Sequence, residues 1–237
     1  MKFPALGLFL IAFALPLHAV NSQMQPMEDR LARYDSNYTK CDGLDASQTN
    51  QLFAMLQLNP ASDEITVKLV CSALKRVRVL KIASAKPFIR DLLDVSVDPE
   101  NADYSSLPGQ LRNVHYMALQ AYGELADEDK DADVLYNYMK MRKLDNVGEY
   151  IVARAIGRMK KNAHAVQALN DMLENLPEMA RTMADDAVIF AILDSIEKQG
   201  DRSSIAPLFR VQSQVSADRD IYNRISELVG TLSAEGN

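Results

Sequence analysis

An all-α fold, arranged as a short stack of about five helix pairs, is what this sequence predicts, and three observations predict it. The chain has 237 residues with 11 Met but only 9 Gly and 9 Pro. With its many Ala and Leu, that balance favours helix over sheet. Apolar residues recur at spacings of three and four, as in Val70, Ala73, Leu74 and Val77, which marks one buried helix face. Finally, the chain repeats itself at the period of a helical hairpin.

The elements follow in chain order. Residues 1–19, MKFPALGLFLIAFALPLHA, read as an export signal: Lys2 is the basic start, Leu6 to Leu15 the apolar core, and Leu17-His18-Ala19 the cleavage site. The apolar run is shorter than the roughly 20 residues a spanning helix needs, so a mature chain without a transmembrane span is expected. The periplasm is the expected compartment. The residue directly after the cleavage site is Val20, not cysteine, which argues against lipidation. The mature chain has two cysteines, Cys41 and Cys71, and an even count in an exported protein reads as one disulfide.

Residues 20–61 form an N-terminal arm and capping segment. The arm turns helical near Met27–Tyr38, and a short helix runs from Ser47 to Leu58 before Asn59-Pro60 stops it. Residues 62–237 form the repeat domain. Ser62 is the expected N-cap of its first long helix, with Asp63 and Glu64 in the first turn.

Four stretches of that domain share one pattern: 73–93, 118–139, 153–173 and 190–210. Each starts on an Ala-rich helix end, breaks at a short polar turn, and resumes with an apolar pair: Phe88-Ile89, Val134-Leu135, Ala168-Leu169 and Pro207-Leu208. Gly123 and Gly157 hold the same place, where a small residue lets two helices approach closely. Ile221 to Leu232 is a truncated fifth copy. Copies one and two are spaced more widely, and the excess falls in Asp94–Gln110, a Pro-, Asp- and Ser-rich surface loop that is either functional or disordered.

The stretch VARAIGRMKKNAHAVQALNDML, residues 152–173, resembles HEAT-like helical repeats. The resemblance covers about 65–232. It implies a right-handed α-solenoid of antiparallel helix pairs whose second helices line an inner surface, and it implies no activity.

A search for chemistry finds little. His115 and His164 lack a partner at ligand spacing. No G-x-S-x-G, phosphate-cradling glycine loop or H-E-x-x-H occurs. Neither an enzyme, a cofactor nor a metal is expected. Asp185-Asp186 are sequence neighbours and diverge by about 100° on a helix, as a solvated face would. The methionines between Met117 and Met183 are interleaved with aliphatics, as core filling requires, although thioethers also suit Cu(I). Tyrosines 116, 122, 136, 138 and 150 are either packing residues or a partner-binding patch.

Charge is the remaining signal. The chain carries −6, and a net acidic chain does not suit nucleic acid. Yet Val67–Arg90 holds seven bases (Lys68, Lys75, Arg76, Arg78, Lys81, Lys86 and Arg90) and no acid. Lys68, Lys75 and Arg78 fall on one side of their helix. A segregated basic face steers acidic partners. The expected function is therefore a non-catalytic exported scaffold that binds another protein with an acidic surface. Lys68, Lys75, Arg76, Arg78 and Lys81 are the expected binding residues. The alternative is an anionic envelope polymer or lipid headgroup on the same face.

Overall fold

The computed structural model describes residues 46–60, 63–95, 109–142, 144–175, 183–215 and 218–234. The chain divides into two units, Met1–Lys40 and Cys41–Asn237, and every described residue belongs to the second. The export signal, the arm up to residue 45, Cys41, Ser62, residues 96–108 of the long loop, and Met179 lie outside the described residues.

Among the described residues all regular structure is helical, as the sequence predicts. The helices are α1 (Ala46–Leu56), α2 (Glu64–Val79), α3 (Lys86–Val95), α4 (Gly109–Leu125) and α5 (Asp131–Arg142). They continue with α6 (Asn146–Ile156), α7 (Ala163–Glu174), α8 (Met183–Gln199), α9 (Ile205–Gln214) and α10 (Arg219–Ala234). Single 3-10 turns at Ala83–Ala85 and Arg202–Ser204 lead into α3 and α9.

Short polar side chains start these helices by accepting the orphan N–H groups of the first turn. Asp63 caps α2, accepting the N–H of Thr66 at 2.8 Å and its hydroxyl at 2.9 Å. The cap is thus Asp63, one residue later than the expected Ser62, and Thr66 explains why: it rewards both carboxylate oxygens of Asp63. Asp145 caps α6 through the N–H of Gly148, and Asn162 caps α7 through that of Ala165. The polar breaks of the repeat are therefore helix starts.

The helices pack in two rows. In one, α2 lies on α4, α4 on α6, α6 on α8 and α8 on α10. In the other, α5 lies on α7 and α7 on α9, while α1 lies on α3. Consecutive helices also pack as pairs, α1 with α2 through to α9 with α10. The core runs through the middle. It includes the predicted Val70, Ala73, Leu74 and Val77, then Leu119, Leu135, Ile156, Leu169, Ile192, Leu208 and Ile225.

The repeated glycines do what their shared position predicts. A Cβ at Gly123 would stand 3.2 Å from Ala155 Cα, and closer still to its Cβ, so α4 and α6 touch there. A Cβ at Gly157 would stand 2.8 Å from Ser195 Cα on α8. Beside that contact the buried Ser195 hydroxyl lies 2.9 Å from the Ala153 carbonyl and 2.7 Å from that of Ala191. Gln199 donates its amide to the Ile156 and Met159 carbonyls at 3.3 and 3.1 Å. Two side chains of α8 thus add hydrogen bonds to carbonyls in the last turn of α6 and just beyond it, some of which also accept backbone N–H groups of the closing turn.

Polar contacts connect neighbouring repeats along both rows. Arg78 donates to Gln120 (2.7 Å), Tyr116 to Asp145 (2.5 Å), Arg158 to Glu124 (2.7 Å) and Asn146 to Asp185 (2.8 Å). Arg224 on α10 bridges Asp194 and Glu197 on α8. On the other row His164 Nδ1 lies 2.7 Å from Asp133, and Arg210 pairs with Glu174.

Candidate interaction surface

The predicted basic residues divide between two places. Lys68, Lys75 and Arg78 lie on α2 at helical offsets of seven and three, so they share a side. Cys71 falls between them on that side, three residues after Lys68 and four before Lys75. Lys68 is exposed and pairs with Glu64 at 2.7 Å across one helical turn. Arg78 is half-buried and donates to Gln120 of α4. Arg76 is half-buried, with its Nε out of reach of solvent. Lys81 is exposed just past the end of α2, with a left-handed backbone of φ 50°. Arg90 is exposed on α3.

Lys86 is different. Its ammonium reaches Asp127 at 2.5 Å, Asp131 at 3.1 Å and Glu128 at 3.2 Å. Asp131 is the centre of this cluster and is almost fully buried. One oxygen accepts the Tyr122 hydroxyl at 2.7 Å. The other accepts the N–H groups of Asp127 and Glu128, each at 3.0 Å, besides Lys86. Burial opposes the charge on Asp131. The hydrogen bonds from Glu128 N–H, Tyr122, Lys86 and Asp127 N–H outweigh it and hold the carboxyl below its usual range. Burial likewise works against the Lys86 charge, and its carboxylate partners more than reverse this, so its pKa rises. The cluster ties the start of α3 to α4 and to the turn before α5. Lys86 is consequently a tie within the fold, not part of an open basic face.

This cluster escapes a residue-by-residue reading, because Lys86 has no acid within its own run. A signal for it does exist. The acidic stretch Asp127–Asp133 occupies the interhelical turn of the next repeat, 41 to 45 residues beyond Lys86. The helix that begins at Lys86, α3, packs on α4, and α4 leads into that acidic turn.

The other candidates resolve in detail. Tyr122 and Tyr138 are buried, with their hydroxyls on Asp131 and on His115 Nδ1 (2.5 Å), so these two are packing residues. Tyr136 is nearly buried, and Tyr116 and Tyr150 are half-buried. Met159 and Met172 fill the core, whereas Met141 is largely exposed. Among the described residues no group of three His, Cys, Asp or Glu side chains could hold a metal ion.

Asp185 and Asp186 are half-buried, in contrast to the solvated face expected of them. Asp185 accepts Asn146, and Asp186 has one oxygen buried without a partner. The packing of α8 on α6 turns them inward. Glu149 lies close by: burial first, then the charges of Asp185 and Asp145, push its carboxyl upward.

Cys71 is a half-buried free thiol, and its expected partner Cys41 lies outside the described residues. Burial raises the Cys71 pKa, and nearby Lys75 counters this. No helix among the described residues is long and apolar enough to cross a membrane. Searches against family models, curated proteins and solved structures return no match to this chain.

Proposed function

We propose that this chain is an exported, non-catalytic helical-repeat scaffold that binds the acidic surface of another protein through the solvent-exposed side of α2. The observation that carries the reading is the placement of Lys68, Lys75 and Lys81. These three stay at or near solvent on one helix and its end, while Lys86, with the same charge and the same run, is drawn into the fold by three carboxylates.

In this reading the paired helices form a short right-handed solenoid of the HEAT-like kind. The two rows of helices support it, as do polar contacts joining residues 27 to 45 positions apart, about one repeat. Each pair buries its apolar face only by stacking on the next. The even-numbered row, which includes α2, would then be the inner, partner-facing surface. The leader at 1–19 delivers the chain to the periplasm, where Cys41 and Cys71 join. A thiol titration of the denatured, unreduced protein tests the bond; two reactive thiols per chain would remove it.

The functional test is charge reversal. Lys68→Glu with Lys75→Glu leaves Arg78 in place to hold Gln120, and Glu is a helix former comparable to Lys. Circular dichroism should be unchanged. Association with a partner captured by the wild type should slow, and its salt dependence should flatten as the Debye length shrinks from about 10 Å at 0.1 M to about 3 Å at 1 M. Unchanged capture and an unchanged salt dependence would reduce the α2 side to a solvated face. Binding to anionic vesicles in place of protein would favour a lipid headgroup.

A further inference from the structure

Two helix ends of this protein place the residue after the cap in the left-handed region, and one of them carries a lysine there. After α2, the Leu80 N–H reaches the Arg76 carbonyl (2.9 Å), the Lys81 N–H that of Arg78 (3.2 Å), and the Ile82 N–H that of Val77 (3.0 Å). This is the Schellman closure of a helix, and it needs its C′ residue in the left-handed region. Here that residue is Lys81, with φ 50°. After α8 the Gly200 N–H reaches the Ile196 carbonyl (2.9 Å), and Gly200 has φ 52°. Both turns pass into a three-residue 3-10 turn and then directly into the next helix. The backbone requirement is the same, and glycine meets it without a Cβ clash. Among the described residues Lys81 is the one non-glycine with positive φ.

The hydrogen bonds of the closure hold the backbone of Lys81, but they would hold a glycine equally. Its side chain is exposed and has no ion-pair or hydrogen-bond partner among the described residues. A cation near a helix C-terminus is favourable, but Arg76 and Arg78 already occupy the last turn of α2. Backbone conformations of this kind persist where something outside local preference holds them, and they cluster at functional positions. What Lys81 does supply is charge. It lies three residues beyond Arg78, exposed just past the end of the helix that carries Lys68, Lys75 and Arg78.

We infer that Lys81 is the recognition cation of the α2 surface: a lysine held at a glycine position because its ammonium pairs with a carboxylate of the acidic partner. This rests on the reading of α2 as the partner-binding side.

The test uses the purified protein, a fluorescein-labelled oligoglutamate peptide followed by anisotropy at low salt, and thermal melts. Lys81→Gly relieves the turn and removes the charge, so it should raise the melting temperature by about 2–4 °C while weakening the peptide about 2- to 5-fold. Lys81→Arg keeps the charge and should bind as the wild type does. Stability and binding thus move in opposite directions, which no purely structural role of Lys81 produces. A Lys81→Gly protein that melts higher but binds equally would overturn the inference and leave the α2 surface standing. One that does not melt higher would overturn the argument from backbone strain. A wild type that does not bind the peptide at all would overturn the surface reading itself, and the inference with it.

Discussion

Lys68 and Lys86 belong to one acid-free run, yet they sit in opposite electrostatic settings. Lys68 meets a single exposed carboxylate on its own helix, in solvent that screens the pair. Lys86 is mostly covered and meets three carboxylates from the next repeat, one of them buried. Equal charges in the sequence therefore differ in energy, in availability to a partner and in sensitivity to salt. For Lys68 the acid is a neighbour four residues back in the chain, whereas the acids of Lys86 are brought to it by the packing of α3 on α4 and the turn that follows.

The largest test of this difference is removal of each lysine. Lys86→Met leaves Asp131 buried without its counter-ion, a situation that costs about 3 kcal/mol in comparable buried pairs. Urea unfolding should show that loss, with the C-terminal repeats affected less than the neighbourhood of α3 to α5. A midpoint equal to that of the wild type would mean that the three bridges contribute as little as surface pairs do.

The glycines extend the comparison from charge to packing. Gly157→Ala forces a Cβ against the Ser195 backbone and should cost about 1–3 kcal/mol through overpacking. Gly230 has nothing within 4 Å of its would-be Cβ and lies inside α10. Gly230→Ala should therefore gain about 0.5–1 kcal/mol from helix propensity. Two thermal melts decide it, and a stabilising Gly157→Ala would deny the close contact of α6 with α8.

Two carboxylates should also respond to acid in opposite ways. Asp131 is held below its ordinary 3.8, so its contribution is complete above that value and is lost as pH falls through the lower, folded one. Glu149 is held above its ordinary 4.5, so its ionised form weighs against the fold near neutrality and relief comes as pH falls through its folded value. Glu149→Gln should accordingly raise the unfolding midpoint at pH 7, and the advantage should disappear below about pH 4.5. A constant advantage at every pH would assign the effect to packing. The smallest expected change is at the start of the comparison: Lys68→Ala should move stability by less than about 0.5 kcal/mol.

Much of the fold is legible in the chain. The all-helical class follows from composition and from apolar spacing, and α2 buries the four residues that its spacing selects. The repeat places Gly123 and Gly157 at equivalent positions, and both prove to be helix contacts. The Met and Tyr residues are legible only in part. Spacing cannot separate Tyr122, turned inward onto Asp131, from a half-buried Tyr150, because both sit on helices packed on several sides.

The sequence by itself determined the local terms: which segments are helices, which face of α2 is apolar, and which turns are polar. Each depends on residues within a few positions of one another, where periodicity and capping act. Tertiary structure alone decided where the charges went. Lys86 left the basic run for Asp131, Asp185 turned toward Asn146, and Lys81 took a glycine's conformation at the end of α2. These outcomes rest on contacts between repeats and on the closing of one helix before the next. Electrostatic energy depends on distance in space and on burial, and neither is a property of position in the chain.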